Sequence, residues 1–380
     1  MPVHHTAARL LLAATLGLAT TAVVAQEHAA ERGQIRSFRD WMVGCDNTRS
    51  CRAFALPAIE NTGKAALRID RGGEAAEEAR VTIILGQDVS LLPGARLRLV
   101  PATGAAIEIT AGRDATEVDG DVEVTDATAS RRLLAALRTT DKLSLTLMQK
   151  DGAAVPAGVI SLDGASAALL WMDERQKRIG TRTALVRPDT ASTRVVPPPL
   201  APPAAPPPVK LEGGPPPTEL PEPMLQAVLD AYRALPAGSC DASPEESAES
   251  LSADRLAPGL LLVGLRCLAG AYNEAQAFYI VTEGDRPTAR PASFARLREP
   301  APEPDRMRSE TQPDNILWNS ELDDTTGTIS HVAKGRGFAD CGEMGSWRWD
   351  GRAFRPVDLS FMPACRGLLP PNWLTIYRTR

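Results

Sequence analysis

Six cysteines constrain how this chain can fold more than any other feature of the sequence. They are Cys45, Cys51, Cys240, Cys267, Cys341 and Cys365. An even number of cysteines in an oxidising compartment is typical of disulfides. The sequence does not fix the pairing, but joining neighbours would keep each bridge local, as Cys45–Cys51, Cys240–Cys267 and Cys341–Cys365. Zinc is the weaker alternative because Cys-x-x-Cys is absent.

The beginning of the chain predicts an oxidising destination. A short segment with one firm positive charge, Arg9, precedes an apolar run over Leu10–Val24, and small residues end at Ala25. This pattern predicts a secretory signal peptide over residues 1–25, which is too short and wrongly flanked for a membrane span. No later run reaches about 18 apolar residues, so the mature chain is predicted to have no membrane span. We therefore expect a periplasmic or secreted protein.

A proline-rich stretch divides the mature chain. Residues 187–222 carry four proline clusters, and such a stretch favours an extended, semi-rigid spacer; a proline-rich recognition motif is the less favoured alternative. We predict a flexible tail over 26–35, a first domain over 36–186 and a second domain over 223–380. The net charge is −5 and no basic run occurs, which disfavours nucleic acid and anionic membrane surfaces as partners.

The first predicted domain alternates short apolar runs with turn residues. Arg96–Val100 alternates with period two, which is typical of a strand with one wet face. Helical spacing of apolar residues predicts helices at Ser130–Arg138 and Ala165–Arg178. The predicted strands are Phe38–Cys45, Cys51–Leu56, Ala65–Asp70, Val81–Leu85, Arg96–Val100, Ala106–Thr110, Val118–Val124 and Leu143–Gln149. We expect a mainly β, antiparallel sandwich with two edge helices.

The second predicted domain begins with one amphipathic helix after Pro223 and continues as strands. Residues 259–283 predict a hairpin over Gly270–Asn273. Further strands are predicted at Ser293–Arg298, Ile316–Ser320, Thr328–Ala333, Ser346–Asp350, Arg352–Phe361 and Trp373–Arg378. We expect an antiparallel sheet with one N-terminal helix.

The stretch from His331 to Cys365 is the densest in unusual residues. Asp350-Gly351 between alternating strands predicts a type I′ hairpin turn. The Lys334-Gly-Arg336-Gly run predicts a tight loop, either a plain structural turn or a backbone nest for an anion. The candidate binding residues are Lys334, Arg336, Asp340, Trp347 and Trp349. The two tryptophans share one strand face and would stack on a sugar or peptide, or else fill the core.

Catalytic patterns are sparse. Gly-x-Ser-x-Gly and the Walker loop are absent, and His331 is the sole histidine inside a predicted domain, which disfavours a triad hydrolase. No catalytic residue, metal or cofactor is predicted. Carboxylates near the second-domain loops, at Glu321, Asp323, Asp324 and Asp340, leave open a hydrolase acting on cell-wall glycan or peptide.

Four motifs occur in order along the chain and resemble a known family. They are Phe38-Arg-Asp-Trp41-Met-Val43-Gly-Cys45, Ala167-Ala-Leu-Leu-Trp171-Met-Asp173-Glu-Arg-Gln176, Gly270-Ala-Tyr-Asn273 and Lys334-Gly-Arg-Gly-Phe-Ala-Asp-Cys341-Gly342. Together they resemble domain of unknown function 1176, a family of secreted proteobacterial proteins. The opening motif also resembles the invasion-associated locus B family of secreted β-sandwich proteins.

The resemblance implies export and architecture, and it implies no catalytic residue. The family loop more often reads Gly-Asp-Cys-Gly, so Ala339 departs from it, which indicates that the position is not chemically strict. The function we expect is a non-catalytic envelope module that binds an envelope protein or a wall polymer. The carboxylate hydrolase is the alternative.

Overall fold

The computed structural model describes residues 33–58, 65–86, 94–118, 120–150, 152–212, 214–295 and 312–380. These described residues all belong to one compact unit. The predicted signal peptide and residues 26–32 of the predicted tail lie outside the described residues. The end of the predicted tail, residues 33–35, is not a flexible tail, because Gln34 and Ile35 belong to the first strand.

The first half is built of strands and two helices. The strands are β1 (Gln34–Phe38), β2 (Trp41–Cys45), β3 (Cys51–Ala55), β4 (Ala66–Arg71), β5 (Arg80–Ile84), β6 (Arg96–Pro101), β7 (Ile107–Thr110), β8 (Ala115–Val118), β9 (Asp121–Val124), β10 (Lys142–Met148) and β11 (Ala154–Ser161), and the helices are α1 (Ala127–Ala136) and α2 (Ala165–Arg175). They form antiparallel sheets in the orders β1-β2-β3-β4-β5-β9-β8 and β11-β10-β6-β7. One hydrophobic core takes residues from both sheets and both helices. The predicted mainly β fold is confirmed.

Alternation explains the two-layer packing of this half. In β6, buried and exposed side chains alternate along the whole strand, so one face packs on the core and the other meets water. The single strand predicted over Val118–Val124 is wrong in detail, because β8 and β9 form a hairpin there. Gly120 has a φ of 83°, which suits a tight turn and ends the strand.

The second half contains two further helices and ten strands among the described residues. The helices are α3 (Glu222–Arg233) and α4 (Pro244–Ala248), and the strands are β12 (Ser252–Ala257), β13 (Leu260–Ala269), β14 (Glu274–Thr282), β15 (Thr288–Pro291), β16 (Ile316–Trp318), β17 (Glu321–Asp323), β18 (Thr328–Lys334), β19 (Gly342–Trp349), β20 (Phe354–Met362) and β21 (Leu374–Arg378). The ten strands make two antiparallel sheets where the sequence predicted one, and α4 is a second helix where the sequence predicted only the N-terminal one. The first has the order β12-β13-β14-β15, with β16 also paired to β14, and the second runs β17-β18-β19-β20-β21.

Two local predictions in this half are corrected. The strand predicted at Ser293–Arg298 lies earlier, at β15, and residues 293–295 are not in a strand. The predicted two-residue type I′ turn is a four-residue loop, because Trp349 pairs with Phe354. The Asp350 carboxylate accepts hydrogen bonds from the N–H groups of Arg352 and Ala353, at 2.8 and 2.7 Å, so it caps the loop from inside.

The C-terminal strand joins the two halves. The Asn47 side chain donates to the Arg378 carbonyl and accepts from the Arg378 N–H, both at 2.9 Å, as another backbone would. The Arg52 guanidinium donates to the Trp373 carbonyl at 3.1 Å. The Gly33 N–H donates to the Ile376 carbonyl at 2.7 Å. These contacts bridge sequence separations of more than 300 residues, which no local pattern in the sequence reveals.

The proline-rich stretch lies along the last sheet in an extended form. The Val209 and Leu211 N–H groups donate to the Thr326 and Asp324 carbonyls at 3.1 and 2.8 Å. The Arg348 guanidinium donates to the Pro206 carbonyl at 2.9 Å. Prolines cannot donate backbone hydrogen bonds, so the stretch is held through its carbonyls and its few N–H groups.

All six cysteines form disulfides, with the pairs Cys45–Cys51, Cys240–Cys267 and Cys341–Cys365. This is the local pairing that the sequence favoured. Among the described residues, no helix has both the length and the apolar character needed to cross a membrane.

Candidate functional site

The Lys334–Gly342 loop, called the Phe338 loop here, joins β18 to β19. Lys334 and Gly342 are the last Cα partners of the two strands. The Gly335 N–H donates to the Cys341 carbonyl at 2.8 Å and closes the loop at its base. Gly342 has a φ of 140°, and a Cβ there would lie 2.0 Å from the Ala333 carbonyl oxygen. The close approach of the two strands therefore requires a glycine at this position.

An ion pair crosses the loop and joins a buried carboxylate, Asp340, to the partly exposed side chain of Arg336. The Arg336 Nε donates to the Asp340 Oδ1 at 2.6 Å, and Arg336 Nη2 donates to Oδ2 of the same carboxylate. The Gly367 N–H donates to Asp340 Oδ2 at 2.6 Å, and Asp340 is only 1% exposed. Burial alone would raise the pKa of Asp340, but the hydrogen bonds from Arg336 and Gly367 hold that pKa below its ordinary value. Asp340 is therefore a structural anion.

This ion pair predicts a pH-dependent stability. A carboxyl whose pKa is lower in the folded chain stabilises the fold above its unfolded pKa of about 4, and that stabilisation is lost as the pH falls toward the folded value. We expect Asp340→Asn to lower the free energy of unfolding by about 1–3 kcal/mol at pH 7, and by less at pH 3. Urea unfolding at both pH values measures this. Asp285→Asn, at an exposed turn position, is the control. An equal cost at both pH values would contradict the assignment.

Asn273 fastens the Phe338 loop to the neighbouring sheet. Its Nδ2 donates to the Lys334 carbonyl at 2.7 Å, and its Oδ1 accepts from the Lys334 N–H at 3.1 Å. The Asn319 amide donates to the same Oδ1 at 2.8 Å. Asn273 therefore hydrogen-bonds to both backbone groups of Lys334, as a residue of a neighbouring strand would. The β13–β14 turn and the Phe338 loop are held together by this side chain.

Aromatic rings are exposed where the turn and the loop meet. Phe338 at the loop tip is 76% exposed and Tyr272 in the turn is 42% exposed. The Tyr272 ring approaches Gly337, where a Cβ would lie 3.7 Å away, and the Tyr272 hydroxyl donates to the Gly335 carbonyl at 3.4 Å. The Arg336 guanidinium lies 5.9 Å from the centre of the Phe338 ring. We call Tyr272, Arg336 and Phe338 the aromatic ridge.

Ala339 has a left-handed backbone. Its φ is 53°, which costs an L-residue about 1–2 kcal/mol relative to glycine. Because glycine also gains freedom in the unfolded chain, we expect Ala339→Gly to raise the free energy of unfolding by only about 0.5–1 kcal/mol. Ala353→Gly, in a loop whose residue is not left-handed, should have the opposite sign. Urea midpoints for both variants decide this, and a destabilised Ala339→Gly would contradict it.

The structure separates the five candidate binding residues. Arg336 and Asp340 pair with each other, and Lys334 adjoins them through the loop backbone. Trp347 and Trp349 are 0% and 2% exposed, and Trp347 packs against Phe294 and His331 with ring centres 5.7 and 5.2 Å apart. Both indoles fill the core and offer no face for stacking on a ligand. Binding by Lys334 and Arg336 stays a prediction.

Two of the carboxylates considered for catalysis, Asp323 and Asp340, are held in structural contacts. The Asp323 carboxylate accepts hydrogen bonds from Thr325 and Thr326, which lower its pKa. A general acid for glycoside cleavage needs the opposite shift. Among the described residues, one metal-type cluster occurs, formed by Asp340, Cys341 and Cys365. Its two sulfurs are bonded to each other, so they are not thiolate ligands.

The first half contains a buried polar cluster that the sequence did not predict. Arg71, Asp173, Gln176 and Arg178 are each at most 2% exposed. Arg71 donates to Asp173 Oδ1 and to Gln176 Oε1, both at 2.6 Å. Burial, followed by the nearby charge of Arg71, lowers the pKa of Arg178 to about 10. The residues lie far apart in sequence, and charged side chains are ordinarily assigned to the surface.

The family model described as "Protein of unknown function (DUF1176)" matches residues 35–380. The chain belongs to the DUF1176 family. This confirms the resemblance that the four motifs carried. The DUF1176 chain is 29% identical over 362 residues to the uncharacterized protein YpfG of Escherichia coli (strain K12), covering 91% of this chain and 93% of that protein.

A solved structure also matches the DUF1176 chain. It is invasion associated protein b from Bartonella henselae, at 19% identity, covering 38% of this chain and 99% of that chain. The TM-score is 0.30, too low to support an inference about this chain. Within the DUF1176 motifs, the structure gives Asp173 and Gln176 a place in the buried polar cluster, Asn273 the fastening of the loop, and Asp340 the ion pair.

Proposed function

We propose that this DUF1176 protein is a non-catalytic binding module of the bacterial cell envelope. It is exported to the periplasm and engages an envelope protein or a wall polymer through the aromatic ridge. The signal-peptide pattern and three disulfides support export into an oxidising space. Within the one compact unit, we assign residues 36–186 and 223–380 to two domains, each with a hydrophobic cluster of its own.

The observation that carries the proposal is a rigidly held loop with an exposed aromatic tip. The Phe338 ring is 76% exposed, so most of its apolar surface stays in water and adds little to the stability of the isolated chain. The Cys341–Cys365 bridge, the Arg336–Asp340 pair and Asn273 fix the backbone beneath it. Pre-ordered aromatic and arginine side chains are what binding hot spots favour, because little entropy is lost on association.

Replacing the ridge phenylalanine tests this function. We expect Phe338→Ala to weaken capture of the bound partner about tenfold or more, the effect of losing a modest hot spot. The mature chain is immobilised and offered periplasmic extract and purified peptidoglycan sacculi from the producing bacterium. Bound material is quantified by mass spectrometry and sugar analysis.

Val159→Ala is the matched control, because Val159 is an apolar residue of β11, 51% exposed, in the other half. The control should retain what the unaltered chain captures. If Phe338→Ala and Val159→Ala capture the same material in the same amounts, the aromatic ridge is not the binding surface.

A further inference from the structure

A groove of about 750 Å³ opens beside the aromatic ridge. It lies between the turn at residues 236–241 and the end of the β13–β14 hairpin, with Tyr272 and Trp318 among its lining side chains. Its volume falls within the roughly 300–1,000 Å³ typical of ligand sites. Tyr272 belongs both to this groove and to the ridge, so the two surfaces are continuous.

The walls of the groove are covalently and locally fixed. The Cys240–Cys267 disulfide ties the 236–241 turn to β13, and the Asp241 N–H donates to the Cys267 carbonyl at 3.0 Å. On the opposite wall, the Gly270 N–H donates to the Asn273 carbonyl at 2.8 Å. The groove is therefore formed before any ligand arrives, and binding does not include the entropic cost of ordering its walls.

The lining combines aromatic rings with short polar groups. Trp318 is half-buried, and its Nε1 donates to the Gln312 Oε1 at 3.0 Å, which fixes the indole in place. Among the lining residues that the structure describes, Leu268 is the sole large aliphatic one and Asp241 the sole charged one. The other aliphatic lining residues are small, namely Pro236, Ala237, Ala269 and Ala271, so a bulky aliphatic side chain would have one large partner, Leu268. An acidic ligand would meet the Asp241 carboxylate.

A sugar chain matches this lining better. Each pyranose ring has apolar faces that pack on aromatic rings and a polar edge that hydrogen-bonds to amide and carboxylate groups. We propose that the groove binds a neutral glycan strand of N-acetylated amino sugars, with Tyr272 and Trp318 against the ring faces and Asp241 accepting hydroxyl hydrogen bonds. This inference rests on the proposed function and selects the wall polymer as the partner.

Tryptophan fluorescence gives a direct test on the full mature chain. Soluble N-acetylglucosamine oligomers are the probe, and co-sedimentation with intact sacculi is the second arm. We expect a saturable fluorescence change that Trp318→Phe abolishes and Trp171→Phe retains, since Trp171 lies on α2 in the other half. Tyr272→Ala should weaken oligomer binding about tenfold or more. A native melting transition in each variant confirms that it is folded.

Each outcome decides the inference. Oligomer and sacculus binding that both need Trp318 and Tyr272 support it. The inference is overturned if the oligomers or the sacculi fail to bind. It is also overturned if the fluorescence change survives in Trp318→Phe and Tyr272→Ala binds the oligomers as the unaltered chain does. If Phe338→Ala still loses a captured protein while no glycan binds, the groove assignment fails and the proposed function stands.

Discussion

Asp173→Ala is expected to lower the free energy of unfolding by about 3–5 kcal/mol. The substitution leaves the Arg71 guanidinium buried without its counter-charge, close to a second buried cation, Arg178. The side chains of Arg71 and Asp173 are both 1% exposed, so water does not replace the lost partner. Removing one member of a buried ion pair is far more costly than removing both.

The Asp173 carboxylate also accepts hydrogen bonds from the backbone. Asp173 Oδ2 accepts hydrogen bonds from the Leu185 and Val186 N–H groups, at 2.7 and 3.2 Å. These contacts attach the segment after α2 to the first half. The variant therefore loses the anchor for this segment as well as the ion pair, which places the expected cost at the upper end of the range for single substitutions.

Two comparison variants make this prediction specific. Glu174→Ala changes the exposed neighbouring acid and should alter stability by less than about 0.5 kcal/mol. The double variant Arg71→Met with Asp173→Leu should recover only part of the loss, because it removes both charges but still leaves the Leu185 and Val186 N–H groups without the carboxylate. Urea unfolding of the mature chain measures all three. A cost below about 1 kcal/mol for Asp173→Ala would contradict the buried-pair assignment.

Cys341→Ser combined with Cys365→Ser is expected to lower the free energy of unfolding by about 3–4 kcal/mol. The bridge closes a sequence separation of 24 residues, and its loss frees the unfolded chain by an amount that grows slowly with loop length. The Phe338 loop also loses its covalent tie, so we expect its backbone amides to exchange with solvent faster.

The Cys45–Cys51 bridge provides the matched comparison. It closes a separation of 6 residues, so replacing both of its cysteines should cost less, about 2 kcal/mol. The Cys45–Cys51 variant should leave amide exchange in the Phe338 loop unchanged. Equal costs for the two bridges, together with unchanged exchange in the Cys341–Cys365 variant, would show that the second bridge does not hold the loop.

Local patterns in the sequence predicted much of the fold. Period-two alternation located β6, helical spacing located α1 and α2, and neighbouring cysteines formed the three bridges. Where the sequence failed, the deciding contacts were distant. The split of the second half into two sheets and the docking of β21 on the first half depend on such contacts, including Asn47 with Arg378.

In the candidate site, too, local sequence patterns predicted the backbone but not the contacts of the side chains. The glycine-rich run correctly located a tight loop, because glycines permit its turns. The roles of its side chains depended on burial, which the sequence does not report. In the structure, Asp340 is a structural anion, and Trp347 and Trp349 are core residues. Phe338 and Tyr272, ordinary apolar residues by composition, are the rings that reach solvent.

A photoreactive amino acid at position 338 tests the central claim most directly. The labelled chain is expressed in the producing bacterium, exported and irradiated in intact cells, beside a chain labelled at position 159. Binding through the aromatic ridge predicts a discrete cross-linked product from position 338, either with a wall glycan or with an envelope protein, that position 159 does not give. If both positions give the same products, or neither gives any, the ridge is not where this protein meets its partner.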